Sequence, residues 1–89
     1  MSGTLYLIGT PIGNLEDITL RQLRMLEEVD FICAEDTRVT LKLLNRYEIK
    51  KQLVSFHEHS SHADAMRIIE RLQNGENCGI VTDAGMPCI

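Results

Sequence analysis

No apolar run in this 89-residue sequence approaches the ~20 residues needed to cross a bilayer. The longest, such as Gly79-Ile80-Val81, are a few residues long, which excludes a transmembrane helix. No charged segment followed by an apolar core opens the chain, so no secretory leader and a cytoplasmic protein are expected. Cysteine is scarce. Cys33, Cys78 and Cys88 form no CxxC pair, and an odd count without ligand spacing excludes a disulfide scaffold and a zinc site. Reduced thiols follow, with Cys33 and Cys78 inside apolar stretches as small core residues. An excess of positive charge is also lacking. The net charge is −4, which argues against a wholly basic nucleic-acid module. Repeats, low-complexity tracts and linkers are absent as well.

With 44% apolar and 25% charged residues, the chain has the composition of one globular domain and not of a disordered one. Four short apolar runs read as buried strands: Thr4 to Gly9, Asp30 to Ala34, Leu53 to Phe56, and Cys78 to Thr82. Runs without strict alternation suit strands covered on both faces. Helical patterns separate them. Thr19 and Gln22 match a capping box, ahead of Leu20, Leu23, Met25 and Leu26. A second helix opens near Thr37 and carries Leu43, Leu44 and Tyr47. A third starts near Ser61, turns Ala65, Met66, Ile69 and Leu72 inward, and ends at Asn74-Gly75. The order βαβαβαβ predicts an α/β fold, a parallel sheet flanked by helices. The sequence then stops on the loop Asp83 to Ile89, so a fragment of a larger protein is expected, marginally stable by itself.

Ligands of parallel sheets sit outside the carboxyl ends of strands. The first strand runs into Gly9-Thr10-Pro11-Ile12-Gly13-Asn14, which is neither a dinucleotide fingerprint nor a Walker loop. A tight turn and a ligand contact both fit it. The fourth strand runs into Asp83-Ala84-Gly85-Met86-Pro87, where an Asp-initiated turn is the plain alternative to ligand binding. After the second strand comes Glu35-Asp36-Thr37-Arg38. There Asp36 is read first as a helix cap and Glu35 as a partner of Arg38, while a general base would suit the same position. His57-Glu58-His59 and His62 follow the third strand. Their spacing matches no metal motif, so they are read as an exposed loop, then as polar substrate contacts, and no metal is expected. Arg38, Lys42, Arg46, Lys50 and Lys51 face Glu48 alone in residues 37–51, a basic stretch inside an acidic remainder. Arg38, Lys42 and Arg46 recur every four residues along one helix face. A solvated face and a phosphate-tracking stripe both explain that spacing.

Four stretches occur in order: Gly3 to Leu15 (GTLYLIGTPIGNL), Ala34-Glu35-Asp36-Thr37-Arg38, Phe56-His57-Glu58-His59 and Thr82-Asp83-Ala84-Gly85. Together they resemble the N-terminal part of the bacterial 16S rRNA cytidine 2′-O-methyltransferases, a branch of the tetrapyrrole-methylase superfamily. The resemblance implies a strand order 3-2-4-1 with a fifth strand missing, and an incomplete N-terminal domain over residues 1–89 without its C-terminal partner. It implies S-adenosylmethionine in the cleft between the two domains, with Thr10, Pro11 and Gly13 on one wall and Asp83, Ala84 and Gly85 on the other. Glu35, Asp36 and His57 become the candidate bases for methylating a ribose 2′-hydroxyl. Arg38, Lys42 and Arg46 become contacts to 16S rRNA or the small ribosomal subunit. A homodimer without membrane association is implied, and the fragment alone is expected to be inactive. Small-molecule tetrapyrrole methylation and a non-enzymatic nucleotide-binding or dimerisation module are the alternatives. Glu48 stands where relatives commonly carry Gly, so the second helix is expected to run on. Met86 replaces a frequent Thr.

Overall fold

The computed structural model describes residues 2–10, 15–57 and 59–83, with Leu15 and Asp83 by their backbone alone. Its strands are β1 (Leu5–Thr10), β2 (Phe31–Ala34), β3 (Gln52–Ser55) and β4 (Cys78–Asp83), and its helices are α1 (Leu20–Glu28), α2 (Thr37–Arg46) and α3 (His62–Gln73). A short 3-10 turn, Leu15–Asp17, precedes α1; the sequence pattern does not announce it. All strand pairs are parallel and the order is β1-β4-β2-β3, as the resemblance implied.

The pleat of β2 divides the core. Ile32 and Ala34 join Ile8, Val81, Leu26, Leu43 and Leu44 beneath α1 and α2. Phe31 and Cys33 join Cys78 and Ile68 beneath α3. β2 is therefore buried on both faces, which its unbroken apolar run demands. The run in β1 has the same texture but a different fate. Ile8 and Thr10 are buried, whereas Leu5 and Leu7 are 48% and 55% exposed. β1 is an edge strand among the described residues, and α3 covers the middle of the sheet without reaching it.

Two helical faces differ from expectation. Leu20 is 79% exposed at the first turn of α1, although Leu26 is fully buried. In α3 the buried side is Ala65, Ile68 and Leu72, and Met66 and Ile69 point outward. Met66, Ile68 and Ile69 supply two overlapping stripes of helical spacing, and contact with Phe31 selects the one through Ile68.

The caps follow the sequence closely. Thr19 and Gln22 form the capping box of α1, Asp36 caps α2, and Ser61 and Asp64 form a second box on α3. α2 and α3 end in the same way. Ile49 N–H donates to Leu44 C=O (2.9 Å) and Glu48 N–H to Asn45 C=O (3.2 Å); Glu76 N–H donates to Arg71 C=O and Gly75 N–H to Leu72 C=O, both at 3.0 Å. Both are Schellman motifs, which place a left-handed residue just past the helix. Gly75 takes that conformation freely at φ 92°, but Glu48 adopts it at φ 57°. The expectation that α2 runs on is thus corrected. Buried Ile49 packs with Leu44 and pulls the chain into the turn despite the side chain on Glu48. Glu48→Gly is expected to stabilise the fold by roughly 0.5 kcal/mol. The relief of about 1–2 kcal/mol in the left-handed region is offset by glycine's freedom in the unfolded chain. A rise of ~3 °C in Tm would register it.

Cys33 and Cys78 are buried free thiols with sulfurs 3.4 Å apart. The hydrogen bond to Cys33, reinforced by burial, pushes the Cys78 thiol far up, so it stays protonated. Cys88 lies outside the described residues.

Candidate functional site

The register of the sheet brings together the ends of β1 and β4, from which the two suspected loops leave. Thr10 and Asp83, the last residues of β1 and β4, are direct partners. The end of β1 is pinned twice: Thr10 Oγ1 donates to Thr82 C=O (3.0 Å), and Gln22 Nε2 donates to Gly9 C=O. Gln22 Oε1 accepts from Thr19 N–H (2.8 Å) at the same time. The box that starts α1 therefore also fixes the rim of the sheet, a second role the sequence spacing does not disclose. Pro11, Gly13, Ala84, Gly85 and Met86 lie outside the described residues.

Beside this rim, a cavity of about 470 Å³ opens over the carboxyl ends of β2, β3 and β4, under the start of α3. Phe56, Ala65, Ile80 and Val81 give it an apolar wall, and Glu35, His57, Ser60, Ser61, His62 and Thr82 its polar groups. The Thr82 hydroxyl is buried without a hydrogen-bond partner among the described residues. An unmet buried hydroxyl costs stability unless a ligand satisfies it.

The three candidate bases separate here. Asp36 is committed to α2: its Oδ1 accepts from Arg38 N–H (3.0 Å) and pairs with Arg38 Nε (3.5 Å). The Arg38 N–H, acting against some desolvation, holds its carboxyl below the usual range. Glu35 lines the cavity, is exposed, and makes no hydrogen bond or ion pair among the described residues; it does not pair with Arg38. His57 sits in a turn in which its N–H donates to Ser60 Oγ (2.9 Å) and its Nδ1 accepts from His59 N–H (3.1 Å). That bond occupies the Nδ1 lone pair, so the neutral ring carries its proton on Nε2 and offers a donor. Glu35 and His57 are thus an acceptor and a donor on one cavity wall. Glu58 lies outside the described residues. Among the described residues no group of three or more His, Cys, Asp or Glu is placed to hold a metal ion.

Arg38, Lys42 and Arg46 form the exposed ridge of α2 that their spacing predicts. Two already have partners: Arg38 has Asp36, and Arg46 has Glu16 (3.3 Å) while lying 5.7 Å from the Tyr47 ring. Such exposed pairs are worth about 0–1 kcal/mol, so they tie the two guanidinium groups only weakly.

Carboxylate hydrogen bonding sets the response to acid. Asp36, Asp64 and Glu76 all lie below their ordinary values, led respectively by the Arg38 N–H, the Ser61 N–H and the Arg71 guanidinium. The folded chain therefore binds fewer protons than the unfolded one. Their contribution is complete above the ordinary carboxylate range and is lost as pH falls through the depressed values. The urea midpoint is expected to hold steady down to about pH 5 and to decline below about pH 4.

An open parallel sheet whose carboxyl edge borders a mixed polar and apolar cavity defines a ligand-binding α/β domain. Residues 4–89 match the family model of the Tetrapyrrole (Corrin/Porphyrin) Methylases, and the chain belongs to that family. It is 55% identical over 87 residues to the ribosomal RNA small subunit methyltransferase I of Halalkalibacterium halodurans, covering 98% of this chain and 30% of that protein. The proteins of the same name from Thermotoga maritima and Bacillus subtilis are 56% and 54% identical over 98% of this chain, covering 39% and 30% of their lengths. The chain spans about a third of the curated relatives it matches. No helix among the described residues is long and apolar enough to cross a membrane.

Proposed function

We propose that this chain is the N-terminal part of an S-adenosylmethionine-dependent methyltransferase acting on the ribose 2′-hydroxyl of a cytidine in 16S rRNA. The observation that carries this is the convergence of the β1 and β4 ends, in register, beside a cavity holding Glu35 and His57. That the relatives are ribosomal RNA small subunit methyltransferases supports an rRNA substrate.

The residues present fit the cofactor. Thr10 and the end of β4 form the meeting walls, and the unpartnered Thr82 hydroxyl awaits a polar group. Pro11, Gly13, Asp83, Ala84 and Gly85 complete those walls in this reading. S-adenosylmethionine supplies an electrophilic methyl carbon when bound. Glu35 accepts the proton of the attacking 2′-hydroxyl, His57 donates from Nε2 to orient the ribose, and Asp36 holds the first turn of α2 so that Glu35 stays on the wall. Such walls would hold the ribose hydroxyl close to the donor, and positioning of that kind removes much of the entropic barrier. Arg38, Lys42 and Arg46 hold RNA phosphates. In the same reading a C-terminal domain closes the cleft, the protein is a cytoplasmic homodimer, and its substrate is 16S rRNA or the small ribosomal subunit.

Tritiated S-adenosylmethionine, the full-length protein and small subunits lacking the modification make the test. Label recovered as 2′-O-methylcytidine after nuclease digestion is the expected result. Label on a base, or on a tetrapyrrole and not on RNA, overturns the reading.

A further inference from the structure

We propose that the groove between α2 and the edge strand β3 is a subsite for one nucleotide of the RNA substrate, with its phosphate held between Arg38 and Lys51. The inference rests on the rRNA reading above and extends it to a residue outside the three-residue stripe of α2. The groove measures about 450 Å³ and is lined by Thr37, Arg38, Leu41, Lys51, Leu53 and Ser55. Its chemistry is that of a nucleotide divided into parts. Leu41, 49% exposed, and half-buried Leu53 offer an apolar floor to a ribose or base. Thr37 and Ser55 supply hydroxyls, and the two cations supply charge for the phosphate.

Lys51 is the new element. Its stem is half-buried in the groove, and its ammonium has no ion-pair partner among the described residues. A lysine side chain already half-buried spends less entropy on gripping an anion than one free in solvent. Arg38 is tied to Asp36 only by the exposed 3.5 Å contact, which a phosphate displaces at little cost. Sequence periodicity misses Lys51, because it lies in the connection before β3 and not on the helix.

The placement suits a flanking nucleotide. Ala34 and Ser55 are partners in the sheet. Glu35 follows the first, and His57 stands two positions beyond the second, both on the cavity wall. Ser55, Thr37 and Arg38 thus border the groove at the carboxyl rim where the cavity also opens. An RNA strand crossing that rim would leave its reactive ribose in the cavity, a neighbouring nucleotide in the groove, and the next phosphates along Lys42 and Arg46.

Cations beside an edge strand have a plainer use, which is to deter pairing with another chain. Fluorescence anisotropy of a short labelled single-stranded RNA with the full-length protein separates the two. K51E is expected to weaken binding about tenfold at about 50 mM salt and to make the salt slope shallower by about 1. K51A, which adds no opposing charge, should lose about threefold, and K51R should retain affinity. K50E, one position away and outside the groove, should lose much less than K51E. Circular dichroism verifies the fold of each variant. Equal losses from K50E and K51E would reduce the effect to a diffuse field and overturn the subsite. So would unchanged affinity in K51E accompanied by self-association, or the absence of RNA binding by the wild type. None of these results touches the methyl-transfer reading, which stands or falls on where the tritium goes.

Discussion

Glu35→Gln is expected to lower the single-turnover rate of methyl transfer by about 100-fold or more in the full-length protein, while RNA affinity stays within twofold. The reasoning is local. Glu35 is the one carboxylate side chain lining the described cavity, it is exposed, and no hydrogen bond or ion pair among the described residues diverts it. Gln keeps the size and shape and removes the ability to take a proton. Asp36 cannot substitute, because its oxygen is bound to the first turn of α2. His57 cannot readily do so either, since His59 N–H holds its Nδ1 lone pair. Loss of rate with unchanged affinity separates a proton acceptor from a binding contact. An unchanged single-turnover rate would dismiss Glu35 as the base.

Phe31→Ala is expected to cost about 4 kcal/mol of stability, read as a fall in the urea midpoint. Phe31 is completely buried, and it starts the central strand beneath α3. Its ring is also the platform for Arg71, whose guanidinium lies 3.7 Å above the ring centre and is gripped by Glu76 through two bonds of 3.1 and 2.7 Å. Glu76 belongs to the turn that delivers the chain into β4. Removing the ring therefore opens a cavity and loosens the entry to the strand that carries Thr82 and Asp83. A domain of this size holds only about 5–15 kcal/mol in total, so the variant should be largely unfolded in mild urea. Phe31→Leu should lose far less, and a cost under about 1 kcal/mol for Phe31→Ala would show that α3 does not depend on this contact.

The legible parts of the fold were those governed by neighbours in sequence. Thr19 with Gln22, Asp36 ahead of Thr37, and Asn74-Gly75 mark helix ends through bonds spanning two to five residues, and the structure places each as written. The strands were legible because their apolar runs are short and flanked by polar turns, and their order followed from resemblance and not from pattern. Choices made by distant partners were not legible. Ile68 over Ile69 is decided by Phe31, the exposure of Leu5 and Leu7 by the reach of α3, and the left-handed Glu48 by the burial of Ile49. At the site, the sequence named Glu35, Asp36 and His57 together but could not show that Asp36 is bound to the first turn of α2 while Glu35 and His57 line a cavity; that difference lies in hydrogen bonds. Lys51 and the second bond of Gln22 left no periodic trace.

The pairing of β1 with β4 has a temporal consequence. Thr4 and Asn77, joined by a hydrogen bond at the base of this strand pair, are 73 positions apart. Contacts of such long loop length are expected to close later than the local helices and the β2–β3 pair. On the ribosome, the first strand must wait until nearly all of these residues have been synthesised before its neighbour exists. The rim where β1 meets β4 is thus among the last features of these residues to close during translation.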